Sequence, residues 1–129
     1  MRAILLSITA TFVFTLVFAS TALAGGDAKK GEAVFNNKKL GQCSVCHKIT
    51  AKKKVGPGLA GTKDRHTDSW MKKYLKDPQK VWTENDDETK EMKTRLKKTN
   101  KKKTAMKLKY KAKFTDEILE DLIAYLKTL

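Results

Sequence analysis

The chain has 129 residues, of which 28 are basic and 14 are acidic, so its formal net charge is +14. A chain of this length builds one small domain with a thin hydrophobic core, which excludes a multidomain architecture. Its lysine-rich segment, residues 90–113, lacks the repeated, interleaved aromatic side chains on which nucleic-acid bases could stack. Nucleic acid is therefore not an expected partner.

Residues 1–24 have the layout of a secretory signal peptide. Arg2 supplies a positive charge, residues 3–19 form an apolar run, and Ala-Leu-Ala at residues 22–24 is a small-residue cleavage site. We predict cleavage after Ala24, which leaves a domain of residues 25–129 in the periplasm. Because the apolar run is long for a signal peptide, an uncleaved N-terminal membrane anchor is the alternative.

The only two cysteines of the chain lie in Gln-Cys-Ser-Val-Cys-His at residues 42–47. A disulfide between Cys43 and Cys46 would close too small a loop to stabilise the fold much, and a redox-active dithiol is expected in a strand and helix setting that this sequence lacks. A structural zinc site needs four ligands, and beyond His47 only the distant His66 remains.

The spacing C-x-x-C-H is instead the signature of covalent haem attachment. Two thiols three residues apart can each bond one vinyl group, and the next residue then directs its imidazole at the iron. We therefore predict one haem c, held through Cys43 and Cys46, with His47 as an iron ligand. A bound haem would also supply apolar core material that so short a chain lacks.

The remaining segments predict helices and turns, and hence an all-α fold. Gly-Pro-Gly-Leu-Ala-Gly at residues 56–61 is a turn. A helix capped by Thr67 or Asp68 carries Trp70 and Tyr74 on one face, and Pro78 disfavours its continuation.

Two further helices are predicted towards the C-terminus. A short one starts with the capping-box-like pair Asn85 and Glu88 and carries Met92 on its apolar face. The last one is capped by Thr115 and presents an apolar stripe over residues 118–126.

These segments together resemble the class I cytochromes c over nearly all of residues 25–129. The likeness rests on C-x-x-C-H, on G-P-x-L-x-G at residues 56–61, on Y-L-x-x-P at residues 74–78 and on D-L-I-A-Y-L at residues 121–126. It implies that the N- and C-terminal helices cross at Gly31 and Phe35.

The resemblance also implies roles for residues around the haem. The Pro57 carbonyl would accept the Nδ1–H of His47, and Leu59, Tyr74 and Leu75 would line the haem pocket. About 20 residues are inserted, relative to the shorter family members, between the Y-L-x-x-P helix and the loop in which the family places its second axial ligand.

A thioether is the family's usual second axial ligand, and the mature chain offers three methionines. Met106 lies in the irregular run where the family has its ligand loop, so we predict His47 and Met106 as the iron ligands. Met92 in the insertion is the rival, and a vacant or His66-ligated site is the remaining alternative. Met71 is expected to be partly at the surface, because Lys72 and Lys73 follow it.

Charge is concentrated in residues 90–113, which hold 12 basic residues and the single acidic residue Glu91. This Lys-rich surface predicts rapid, reversible docking to acidic redox partner proteins, and association with a membrane surface is a further option. The sequence thus predicts a periplasmic electron carrier rather than an enzyme. The alternatives are a haem-based gas-binding or catalytic protein with a labile sixth ligand, and a small cytochrome subunit of a larger redox complex.

Overall fold

A computed structural model describes residues 25–109 and 111–129 of the chain. Within these ranges there are helices and loops but no strand, so the all-α prediction is confirmed. The six helices are α1 (Ala28–Asn36), α2 (Cys43–Cys46), α3 (Asp68–Lys76), α4 (Pro78–Glu84), α5 (Asp87–Arg95) and α6 (Asp116–Leu126), with 3₁₀ turns at Thr62–Asp64 and Lys111–Lys113. No helix in the described ranges is long and apolar enough to cross a membrane. The signal peptide predicted at residues 1–24 lies outside them.

Helices α1 and α6 cross in close contact, as predicted. Gly31 faces the backbone of α6, where a Cβ on residue 31 would lie 1.9 Å from the carbonyl oxygen of Asp121. Phe35, one turn later, packs its ring against that of Tyr125 with centroids 5.4 Å apart. The Asp121 carboxylate is buried and accepts a hydrogen bond of 2.6 Å from the backbone N–H of Asp27, which caps α1. The crossing thus joins the two ends of the domain.

Helix α3 begins where the sequence predicts, because the Thr67 hydroxyl accepts the N–H of Trp70. Trp70 and Tyr74 share a face and stack with their ring centroids 4.7 Å apart. The prediction that Met71 is partly at the surface is wrong. Its side chain is only 3% exposed, because Met71 lies on the same side of the helix as the buried Leu75.

The insertion forms two helices rather than one. Pro78 does end α3, but it also starts α4 at the first helical position, where its missing N–H costs nothing. The predicted start of the next helix is corrected by one residue: Asp86, not Asn85, caps α5 by accepting the N–H of Thr89. Asn85 instead adopts a left-handed conformation that ends α4. Met92 is buried on the apolar face of α5, as expected.

Candidate functional site

The helices and loops surround a cavity of about 410 Å³. Its lining is drawn mainly from all six helices, from the turn at residues 56–62 and from the irregular segment that follows α5. Most of the side chains that line it are apolar. A cavity of this size in a domain this small is a binding site for a sizeable, largely apolar group.

One wall of the cavity is formed by the C-x-x-C-H segment. Cys43 and Cys46 lie at the two ends of α2, both as free thiols, and His47 follows in extended conformation. All three residues line the cavity. Burial raises the pKa of the Cys43 thiol to about 11, so before haem attachment this sulfur is protonated at neutral pH.

The turn at residues 56–61 holds the His47 ring in place. The ring Nδ1 lies 2.8 Å from the carbonyl oxygen of Pro57, and because a carbonyl only accepts, Nδ1–H donates this hydrogen bond. Gly56 packs directly against the imidazole, because a Cβ on residue 56 would lie 2.5 Å from the Cε1 of His47. The contact predicted from the resemblance is therefore present, and it leaves Nε2 as the ring nitrogen through which a neutral imidazole would bind a metal.

The predicted pocket residues Leu59, Tyr74 and Leu75 also line the cavity. Tyr74 and Leu75 are buried on α3, and Leu59 is partly buried in the turn, where its N–H donates to the carbonyl of Lys48. Burial raises the pKa of the Tyr74 hydroxyl, which therefore remains a hydrogen-bond donor.

Three methionines line the cavity: Met71, Met92 and Met106. Met71 and Met92 are buried on helices, whereas Met106 is partly buried in an irregular loop. The backbone N–H of Met106 donates to the hydroxyl of Thr104 at 3.2 Å, and that hydroxyl lies 3.0 Å from the hydroxyl of Tyr74. The loop residue Met106 is thus tied to α3 through two hydrogen bonds.

Comparisons with known proteins agree with this site. The family model described as "Cytochrome c" matches residues 28–129. The chain belongs to the cytochrome c family. A curated relative, cytochrome c-550 from Nitrobacter winogradskyi, is 35% identical over 75 residues, which cover 41% of this chain and 64% of the relative. The match therefore spans slightly less than two thirds of that relative's length. No solved structure matches the chain significantly.

Family membership confirms the prediction of a class I cytochrome c fold and of haem c with its iron as the cofactor. The cavity of this cytochrome fits that group in its apolar walls and in the two thiols beside an oriented imidazole. A further observation is that the buried Nε of Arg65, which lines the cavity, has no hydrogen-bond partner among the described residues. Haem carries carboxylate groups, which can accept a hydrogen bond from a guanidinium N–H of this kind.

The cluster of Arg65, His66 and Arg95 beside the cavity was not predicted from the sequence. The side chain of His66 is 7% exposed, stacks on Trp70 at 4.1 Å, and lies between Arg95 and Glu88. Burial, and then the charge of Arg95, lowers the pKa of His66, so its imidazole is neutral at pH 7. His66 also lines the cavity of the cytochrome. The sequence offers His66 as an alternative iron ligand, but it gives no signal of this packing between Trp70, Arg95 and Glu88.

The Lys-rich surface of residues 90–113 borders the same cavity. Lys98, Lys107 and Lys109 contribute to the lining, and the lysines at 101–103 are exposed. One member does not belong to that surface: Lys93 is 7% exposed, and its ammonium group donates to the carbonyl of Trp82 at 2.8 Å. Lys93 is therefore a structural lysine of the cytochrome and not part of a docking surface.

Proposed function

We propose that this cytochrome is a periplasmic electron carrier that transfers single electrons between redox partner proteins through one haem c ligated by His47 and Met106. When bound, haem c supplies an iron that alternates between the ferric and ferrous states. The observation that carries the proposal is the hydrogen bond of 2.8 Å between His47 Nδ1 and the Pro57 carbonyl. It supports a permanent metal ligand, because an imidazole held in one tautomer binds metal through the other nitrogen.

The geometry around Met106 supports it over Met92 as the second ligand. Met106 belongs to a loop that can adjust its side chain, and its backbone is positioned by Thr104 and Tyr74. Met92 is only 7% exposed and packs within the core on α5. Withdrawing Met92 from the core to reach a metal would cost packing contacts that Met106 does not have to give up.

Two features beside the cavity suit transient docking of a redox partner. The exposed lysines within residues 90–113 present positive charge, which raises the rate of encounter with an acidic partner. A complex held by such exposed charges dissociates readily in salt. Val45 and Val55, which also line the cavity, are 50% and 74% exposed. A small apolar surface surrounded by exposed lysines suits a redox partner that associates quickly and dissociates quickly. The same lysines would also hold the protein to an anionic membrane surface.

The proposed location follows from residues 1–24, whose composition is that of an export signal. Nothing in the proposal requires catalysis. The residues around the cavity hold and orient a redox group, and we assign this cytochrome a carrier role rather than an enzymatic one.

A visible spectrum of the holoprotein, matured in a host with a cytochrome c assembly system, tests the ligand pair. We expect a low-spin c-type spectrum with the long-wavelength ferric band that reports an iron–sulfur bond. Met106→Leu should abolish that band, because it removes the thioether at nearly constant volume, whereas the matched variant Met92→Leu should keep it. Loss of the band in Met92→Leu alone would reverse the assignment. A high-spin wild-type spectrum with rapid carbon monoxide binding would instead favour the gas-binding function.

A further inference from the structure

The loop that carries Met106 is held by side chains of α4, a helix within the insertion. The indole Nε1–H of Trp82 donates to the carbonyl of Lys101 at 2.8 Å. The amide of Gln79 contacts the loop twice: its Nε2 donates to the carbonyl of Lys102 at 3.4 Å, and its Oε1 accepts the N–H of Thr104 at 3.2 Å. Four consecutive residues of the loop, 101–104, thus contain three backbone groups bonded to α4.

Helix α5 fixes one of these two side chains in turn. The ammonium group of Lys93 donates to the carbonyl of Trp82 and to the side-chain oxygen of Asn85, at 2.8 and 2.7 Å. It also lies 4.7 Å from the centroid of the Trp82 ring. A buried charge with two hydrogen bonds and an aromatic face is costly to move. Lys93 therefore keeps the Trp82 indole in the orientation that reaches the loop.

The loop itself has little regular structure. Residues 97–109 form no helix, and most of their side chains are exposed. Segments of this kind open locally at low free energy unless their backbone groups are bonded to a rigid element. In this loop the rigid elements are α3, which contacts Thr104 through Tyr74, and α4, which contacts residues 101, 102 and 104.

We propose that α4 and α5 form a clamp that keeps the Met106 loop closed over the cavity, with Gln79 and Trp82 as its positioning residues. The role assigned to the loop rests on the proposed function, since it requires Met106 to be an iron ligand. The insertion then opposes the displacement of Met106 by an external ligand. This is the opposite of the labile site that a long charged insertion suggests in the sequence alone.

The rate of carbon monoxide binding to the ferrous holoprotein tests the clamp, because an external ligand binds only after Met106 has left the iron. We expect Gln79→Ala to raise this rate about fivefold to tenfold, which corresponds to the loss of about one net hydrogen bond. Trp82→Phe, which removes the Nε1–H and keeps an aromatic ring, should act in the same direction. The control is Lys80→Ala, an exposed α4 residue whose ion pair with Glu84 does not involve the loop. It should bind carbon monoxide at the wild-type rate.

Hydrogen exchange at the Met106 amide provides a readout that does not depend on the iron. Gln79→Ala leaves in place the Thr104 hydroxyl, which accepts the hydrogen bond of the Met106 amide. Faster exchange of that amide would therefore report opening of the loop and not the loss of the amide's own hydrogen bond. Gln79→Glu keeps the oxygen that accepts from Thr104 and should restore part of the protection.

The two proposals fail in different ways. Wild-type rates of exchange and of carbon monoxide binding in Gln79→Ala, with the iron–sulfur band present in wild type, would overturn the clamp alone. Faster Met106 exchange in Gln79→Ala, combined with survival of the band in Met106→Leu, would uphold the clamp on the loop and overturn its role in ligation.

Discussion

The contact between α1 and α6 at Gly31 gives the sharpest test of the fold. Replacing Gly31 by Ala would improve helix propensity by about 1 kcal/mol. The new Cβ, however, would lie 1.9 Å from the Asp121 carbonyl oxygen, against at least 3.4 Å for ordinary contact. Because that oxygen belongs to a helix backbone, the two helices must separate by more than 1 Å. Overpacking of this kind costs roughly 1–3 kcal/mol.

Separation of the helices would also weaken the hydrogen bond between the Asp27 N–H and the Asp121 carboxylate, a contribution of about 1 kcal/mol. The gain in helix propensity and the loss of this hydrogen bond roughly cancel, so we expect Gly31→Ala to lower the free energy of unfolding by about 1–3 kcal/mol, against the roughly 5–15 kcal/mol typical of a domain. Guanidinium unfolding of the holoprotein, followed by far-ultraviolet circular dichroism, measures this. Ala33→Gly on the exposed face of α1 calibrates the propensity effect alone. A Gly31→Ala protein as stable as wild type would refute the close crossing.

Two further predictions concern stability. Lys97 has a φ of +55° just after α5, in a motif where the N–H of Lys98 donates to the Lys93 carbonyl, so Lys97→Gly should raise the free energy of unfolding by about 1 kcal/mol in the same assay. Hydrogen bonding from Lys76 lowers the pKa of Asp116 below its ordinary value. This stabilisation is therefore present above the unfolded pKa of about 4 and is lost as the pH falls through the folded pKa. The difference in urea midpoint between wild type and Asp116→Asn should accordingly be largest near neutral pH and should shrink on acidification; a constant difference would contradict the ion pair.

Features coded by a few neighbouring residues could be predicted from the sequence. The caps at Thr67 and Thr115 depend on one hydroxyl and one N–H three residues later, so local sequence determines them. The contact between His47 and Pro57 could be predicted because the family pattern relates these two residues, which are ten positions apart. The same holds for the crossing at Gly31, where only a residue without a side chain fits.

Features that depend on tertiary packing were missed or misplaced. Helix α4 has only seven residues, too few for a clear apolar period, and in the sequence Pro78 predicts only the end of the preceding helix. Two adjacent residues, Asn85 and Asp86, both suit a cap, and only the end of α4 at Asn85 decides between them. The sequence does not distinguish Lys93 from the other lysines, because its partners Asn85 and Trp82 lie eight and eleven residues away.

The proposed clamp and the proposed docking surface both use lysines of residues 90–113, and burial distinguishes the two sets. Lys93 is enclosed by α4 and acts on the loop through Trp82, so its charge is satisfied inside the domain and is not available to a partner. Lys107 is exposed at the cavity rim, where water and salt screen its charge and it contributes mainly to the rate of encounter. A loop with many like charges would tend to open through their mutual repulsion. Hydrogen bonds from α4 to residues 101, 102 and 104 oppose this tendency, so the proposed clamp acts on a segment whose own charge favours opening.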